Sequence, residues 1–260
     1  GDDPPEGRAG DRVHQGGRRE QRGDAAGQAV TGPPDALAQR PALPGVCILS
    51  PMDDAQLLRY SRHILLSELG PDAQERFAGA HALIVGMGGL GAPAAQFLAA
   101  AGVGTITICD ADHVDLTNLQ RQILYATADI GTPKVDAAAR RLAAVNPEVR
   151  IERVAQRVGA PELAALVGAA DVVLDCCDNF ATRHAVNAAC VRAGRPLVSG
   201  AALRFDGQLA VFDPRDATSP CYHCLFGEGE ELEETRCATM GVFAPLVGIV
   251  GAMQAAEALK

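Results

Sequence analysis

Basic residues are scarce in this chain: 23 lysines and arginines stand against 32 aspartates and glutamates, a formal net charge of −9. A surface that tracks nucleic-acid phosphates needs clustered cations, so general nucleic-acid binding is excluded, although a nucleotide pocket is not. No uninterrupted apolar run approaches the length of a membrane span, and no basic-then-apolar leader opens the chain. The expectation is a soluble, cytoplasmic protein with no membrane partner. No Gly-Lys dipeptide occurs, which removes the G-x-x-x-x-G-K-[ST] cradle of kinases and P-loop ATPases. None of the three tyrosines begins a Tyr-x-x-x-Lys pair, so a dehydrogenase reading has little beyond glycines and one acid. There is no internal repeat. A disulfide framework is also unsupported, because most of the eight cysteines sit in apolar strand-like or helix-like context that suits reduced thiols. Only Cys221 and Cys224 have metal-ligand spacing.

What is present is enough apolar sequence, 48% of 260 residues, to cover a parallel sheet on both faces. Residues 1–50 are rich in Gly, Pro, Arg, Asp and Gln with little periodic apolar content, too little to offset the entropy of ordering. A disordered N-terminal tail is expected there, followed by one domain over 51–260. Leu57, Leu58, Ile64, Leu65 and Leu66 form an amphipathic helical stretch. From His81 an apolar run breaks into Gly86-Met-Gly-Gly-Leu-Gly91 and then into alanine-rich, helix-forming sequence. Gly86, Gly88 and Gly91 fit G-x-G-x-x-G, in which one glycine turns the chain, one admits a phosphate to the backbone and one lets helix pack on strand. A second apolar strand ends at Asp110, roughly 20 residues past the glycines, where a ribose diol is held.

After Asp110 a polar loop leads to Thr132-Pro-Lys134, predicted to open a helix with Thr132 as N-cap and Pro133 at the first helical position. Strands are predicted at 149–154, 171–175 and 196–199, and helices at 161–167 and 181–193. The alternation predicts an α/β fold, a doubly wound, Rossmann-like and mostly parallel sheet with ligands at the carboxyl ends of its strands. Around Asp206-Gly207 the pattern changes to period two, predicting antiparallel strands that continue the sheet through a hairpin turning at that dipeptide. The run from Glu228 to Glu234 reads as a solvated loop, and 241–260 as a glycine-interrupted helical region.

Taken in order, Arg59-Tyr-Ser-Arg62, Gly86 to Gly91, Asp110-Ala-Asp112, Asn118-Leu-Gln-Arg-Gln122, Lys134, Asp175-Cys-Cys-Asp-Asn179, Ser199-Gly-Ala201 and Cys221-Tyr-His-Cys224 resemble the adenylyltransferases that activate ubiquitin-like sulfur carriers. The molybdopterin-synthase type is most similar and the thiamine-pathway type next, over a stretch from Asp53 to Lys260. The resemblance implies that Gly89, among the loop glycines, meets ATP and that Asp110 holds the ribose hydroxyls. It further implies that Asn118, Arg121 and Lys134 contact the phosphates, that Asp178 and Asn179 serve Mg²⁺ and nucleotide, and that Arg62 reaches in from the other subunit of a homodimer. The implied partner is a ubiquitin-like sulfur carrier ending in Gly-Gly. Singly these residues have ordinary readings: Arg62 a helix-surface charge, Lys134 a first-turn lysine, Asp178 a strand-end acid. Their ordered set speaks for chemistry.

The reaction so implied needs no protein nucleophile. The carrier's terminal carboxylate attacks the α-phosphorus of ATP and pyrophosphate leaves, with Arg62, Arg121, Lys134 and Mg²⁺ holding the reactants in line and neutralising phosphate charge. The alternatives are a thiamine-pathway carrier as substrate, or a nucleotide-binding module without turnover. Relatives of the molybdopterin type complete a four-cysteine zinc site with a second C-x-x-C near the C-terminus. Here Cys221 and Cys224 stand without that second pair, so a domain truncated at its C-terminus is expected; completion by His223 or Cys237, or no Zn²⁺, are the other readings. Cys237, next to Arg236 and downstream of five glutamates, is expected to be dispensable for the acyl-adenylate and at most to serve later sulfur transfer.

Overall fold

The structure, a computed structural model, describes residues 52–227 and 241–260. The expected N-terminal tail, the glutamate run and Cys237 lie outside the described residues. The chain from Asp54 forms two short helices, α1 (Asp54–Arg59) and α2 (Ser61–Ile64), rather than one amphipathic helix. A capping box between Asp53 and Gln56 starts α1, and Tyr60 ends it. The Tyr60 ring is buried; its hydroxyl accepts from Asn146 Nδ2 at 2.8 Å and donates to Glu148 at 3.1 Å. Anchoring that one aromatic to the body of the domain breaks the helix and turns Leu57, Leu58, Leu65 and Leu66 outward, where they stay exposed. Helix α3 (Gly70–Gly79) follows, held by Phe77 and by Gln74, whose Nε2 donates to Ala101 O at 2.7 Å.

The strands β1 (His81–Val85), β2 (Thr105–Cys109), β3 (Arg150–Val154), β4 (Val172–Asp175), β5 (Leu197–Leu203) and β6 (Asp206–Phe212) form a six-stranded sheet in the order β3-β2-β1-β4-β5-β6. All neighbours are parallel except β5 and β6. The connecting helices are α4 (Gly91–Ala101), α5 (Lys134–Val145), α6 (Ala160–Ala169), α7 (Phe180–Ala193), the short α8 (Tyr222–Leu225) and α9 (Ala244–Ala258). Because side chains alternate across a strand, each strand feeds two cores. Ala82, Ile84, Ile106, Ile108 and Leu174 pack on one face with α4, α5 and α9. Leu83, Val85, Val173 and Leu197 pack on the other with α6 and α7. A fully buried Leu or Ile contributes ~1.5–3 kcal/mol, so these two layers, more than helix propensity, hold the helices. Strand order reverses between β1 and β4, the topological switch point at which such sheets take ligands. Among the described residues no helix is long and apolar enough to cross a membrane.

Three local expectations are corrected. The strand expected at 196–199 and the first hairpin strand are one element, β5, parallel to β4 on one edge and antiparallel to β6 on the other. The hairpin turns at Arg204-Phe205, not at Asp206-Gly207: Leu203 pairs with Asp206, Ala202 pairs with Gly207, and Arg204 has φ +54°. Gly207 serves packing, since a Cβ there would lie 2.8 Å from Val250 and 3.2 Å from Leu246 of α9. Helix α5 starts at Lys134 with Pro133 in the N-cap position. Thr132 is committed elsewhere, its carbonyl accepting from Val114 N while Lys134 N donates to Asp112 O, both at 2.9 Å.

Candidate functional site

At the carboxyl end of β1 the chain turns sharply into α4. Gly86 takes φ +96°, and a Cβ on it would stand 2.6 Å from the Cys176 carbonyl oxygen. A side chain on Gly91 would collide with the Gly86 carbonyl. These two glycines therefore let the loop fold back on itself and lie against the start of the β4–α7 connection. Two outside groups fix its shape. Asp110 Oδ2 accepts from Met87 N at 2.8 Å, and Tyr125 Oη donates to Met87 O at 2.8 Å. Asp110 thus meets the glycine loop directly, with its other oxygen accepting from Asp112 N at 2.8 Å.

Lys134 is buried where cations rarely are. Its Nζ lies 2.9 Å from Asp112 Oδ2 and 3.7 Å from Asp110 Oδ2. Both carboxylates stand at the carboxyl end of β2, so the Lys134 side chain is tied there. Arg121 is half-buried, with Nη2 donating to Asn118 Oδ1 at 2.8 Å and Nη1 to Thr117 O at 3.1 Å. A Cβ on Gly89 would be 3.4 Å from Arg121 Cγ, so this side chain crosses the glycine loop. The structure therefore gathers Gly86, Gly88, Gly89, Gly91, Asp110, Asn118, Arg121 and Lys134 into one neighbourhood, with partly accessible backbone at Gly88 and flanking cations. Such a loop at a helix N-terminus suits phosphates. The nucleotide fit has a further sign: Gln122 Oε1, beside this loop, is buried without a hydrogen-bond partner.

Asp178 and Asn179 occupy the β4–α7 connection that Gly86 abuts. Asn179 Oδ1 accepts from Thr182 N at 2.9 Å and caps α7; its Nδ2 makes a long 3.4 Å bond to Asp178 Oδ1. Asp178 is otherwise unengaged among the described residues and exposed. One exposed carboxylate beside a glycine loop is the protein share that Mg²⁺ takes where nucleotide oxygens and waters supply the rest. Arg62 is exposed on α2 and makes no hydrogen bond or ion pair among the described residues, so the structure does not bring it to the site of its own chain.

A group that sequence reasoning missed lies beneath this connection. Asp175 is fully buried and pairs with Arg183 Nη1 at 3.0 Å, with Ser199 Oγ donating to the same carboxylate at 2.7 Å. Arg183 also donates to Cys177 O, tying the chain just before Asp178. Burial works against the Arg183 charge, but the Asp175 carboxylate outweighs it and raises the guanidinium pKa. From α9, Gln254 Nε2 donates to Asp175 O at 2.8 Å and Val198 O at 3.1 Å. The available signal was an acid ending an apolar strand with an arginine in the first turn of the next helix.

The thiols divide by environment. Burial, with a further push from Asp110, raises Cys109 to about 12. Burial and then Asp175 raise Cys190 to about 12, and raise Cys176 and Cys177 likewise. Cys221 is lowered: burial opposes this, but hydrogen bonds from Asn187 and Cys224 outweigh it. The Cys221 and Cys224 sulfurs are 3.6 Å apart, close to the ~3.8 Å edge of a tetrahedron with Zn–S near 2.3 Å. They fit half of a zinc site, but among the described residues no third His, Cys, Asp or Glu stands with them; the His223 ring lies edge-on to His184, 5.7 Å away. At pH 8 a thiol of pKa 12 is about 10⁻⁴ thiolate. In metal-free protein, alkylation is expected to modify Cys221 and Cys224 while Cys109, Cys176, Cys177 and Cys190 react only after denaturation. Peptide mass spectrometry reads the result, and prompt labelling of any of the four in folded protein would contradict their burial.

Comparison with known proteins agrees with this geometry. Residues 60–260 match the profile of the ThiF family. The sulfur carrier protein ThiS adenylyltransferase of Escherichia coli is 46% identical over 209 residues, covering 80% of this chain and 82% of that protein. The molybdopterin-synthase adenylyltransferase of the same organism is 46% identical over 215 residues, covering 82% and 84%. Among solved structures, Escherichia coli MccB with ATP superposes with a TM-score of 0.68 at 27% identity, covering 78% of this chain and 62% of MccB.

Proposed function

The chain belongs to the ThiF family, and on that premise we propose that it adenylates the C-terminal glycine carboxylate of a ubiquitin-like sulfur carrier, using ATP in the cytoplasm. The observation that carries this reading is that a buried Lys134 and a half-buried Arg121 flank a partly accessible glycine loop, where among the described residues the nearby thiols, Cys109 and Cys176, are buried and protonated. Cations converge there and, among the described residues, no protein nucleophile does. That is the arrangement for a reaction in which the substrate supplies the nucleophile.

In the reaction, a carboxylate oxygen of the carrier forms a bond to the α-phosphorus of ATP while the bond from that phosphorus to the bridging oxygen breaks. The electron pair leaves with pyrophosphate, and the products are an acyl-adenylate and pyrophosphate. Asp110 orients the ribose. Asn118 holds Arg121 in place, and Arg121 and Lys134 neutralise the charge that grows on the phosphoryl oxygens. Asp178 would hold Mg²⁺, with Asn179 fixing the turn on which it sits; the ion, when bound, adds to that neutralisation. Cys221 and Cys224 would hold Zn²⁺ as one edge of a structural site. Free thiols throughout the core suit a reducing compartment. The molybdopterin-synthase small subunit is the carrier we favour, and a thiamine-pathway carrier the alternative.

Carrier-dependent exchange of labelled pyrophosphate into ATP tests the function, run with carriers of both types. Exchange with one identifies the substrate; ATP binding without exchange on any Gly-Gly-tailed carrier would make the protein a binding module. We also propose a homodimer built on the outward-facing Leu57, Leu58, Leu65 and Leu66, in which Arg62 completes the neighbour's site. Its exposure and its lack of partners among the described residues of its own chain support that role. Arg62→Ala and Lys134→Ala are each expected to be inactive. Mixed with full subunit exchange they should regain about a quarter of wild-type activity, since half the dimers are hybrids with one intact site. No recovery despite demonstrated exchange would contradict a shared site.

A further inference from the structure

Gln122 ends the Asn118–Gln122 motif, and its backbone is settled. Its N–H donates to Asn118 O at 2.9 Å and its carbonyl accepts from Tyr125 N at 3.1 Å. The side chain is a different matter. It is only 3% exposed, its Oε1 has no hydrogen-bond partner, and its amide makes no hydrogen bond among the described residues. Its Nε2 lies 3.7 Å from where a Cβ on Gly88 would stand, and nothing else comes within 4 Å of that point. A primary amide offers two donors and two lone pairs. Leaving the oxygen unpaired in a buried place is costly, and an aliphatic side chain of the same length would fill the space without that cost. The amide is therefore in the wrong place for packing and in the right one for a ligand, its nitrogen beside Gly88 of the glycine loop.

We propose that Gln122 is a nucleotide-binding residue whose Nε2–H donates to a phosphate oxygen held over Gly88. No hydrogen bond among the described residues restrains the amide, and the terminal torsion of glutamine is broad, so the group can turn to meet the phosphate at little expense. A donor to an anion forms a stronger bond than one between neutral groups, which suits a side chain with no other bond to lose. Tyr125, three residues on, grips Met87 O from the same turn; the turn thus both shapes the glycine loop and brings the amide to it. This inference rests on the reading of that loop as the ATP site.

The test compares ATP affinity, adenosine affinity and melting temperature in wild type, Gln122→Leu and Gln122→Glu, by calorimetry on the full chain with Mg²⁺. Gln122→Leu is expected to weaken ATP about tenfold, to leave adenosine unchanged, and to melt at or above the wild-type temperature. Gln122→Glu, which sets a carboxylate against the phosphates, should weaken ATP further, by about a hundredfold. If Gln122→Leu will not fold, Gln122→Met, of equal chain length, gives the same readout. A lower melting temperature with unchanged ATP affinity would assign the amide to an internal water and overturn the inference. Equal losses for ATP and adenosine would overturn the phosphate contact. Wild type that binds no ATP would overturn the functional reading itself; wild type that binds ATP, with a leucine variant that binds it equally well, overturns the Gln122 assignment alone.

Discussion

Asp178→Ala is expected to lower carrier-dependent pyrophosphate exchange by about 10²–10³-fold, the usual loss when one preorganised charge is removed from a transition state. The melting temperature should barely move. The asymmetry follows from what surrounds the carboxylate. Asp178 is exposed, and its single bond is the 3.4 Å contact from Asn179 Nδ2. The cap on α7 belongs to Asn179 and survives the change, and substitutions at exposed positions free of such features stay within about ±0.5 kcal/mol. An acid that stabilises nothing, set on a loop pressed against the glycine turn, is best explained by a ligand. Exchange measured across a magnesium titration, alongside thermal melting, checks this. Near-normal turnover at every magnesium concentration would remove Asp178 from the mechanism.

What was legible in the sequence depended on whether the deciding forces were local. The β1–glycine–α4 unit could be read because the apolar strand, the φ of +96° at Gly86 and the contact of Gly91 with the Gly86 carbonyl are local, and Asp110 followed from spacing. The alternating strands and helices gave the doubly wound order for the same reason. The hairpin was misplaced because Asp-Gly is a strong turn signal, whereas Gly207 is required by two side chains of α9, more than thirty residues away in sequence. Thr132 lost its cap role to a backbone pairing with Val114, and Tyr60 broke the first helix by reaching Asn146 and Glu148. Nothing within a few residues of any of these positions announces the partner. The site divides the same way: the loop glycines and Asp110 carry their own signals, while Gln122, Gln254 and the Asp175–Arg183 pair take their meaning from elements brought together by the fold.

That buried pair sets the second large effect. Arg183→Ala is expected to destabilise the protein by ~3–5 kcal/mol, the cost of leaving a buried charge without its partner, which for a domain of this size lowers the melting temperature by roughly 10 °C. Asp175 is wholly buried and Arg183 nearly so, so water cannot replace the lost guanidinium. Ser199 would remain, but one hydroxyl at 2.7 Å does not balance a full charge. The Cys177 carbonyl would lose its donor at the same time, loosening the turn that leads to Asp178, so exchange activity should fall along with stability. The two variants should therefore differ: Asp178 is expected to matter for chemistry and not for the fold, Asp175 for the fold and only thereby for chemistry. A charge-free pair separates charge from packing, because replacing both partners by neutral groups of similar size is often nearly neutral. Arg183→Leu combined with Asp175→Asn should recover most of the lost melting temperature. If the double variant is as unstable as Arg183→Ala, the loss comes from the arginine's packing and its Cys177 bond, and the ion pair is not what holds β4 to α7.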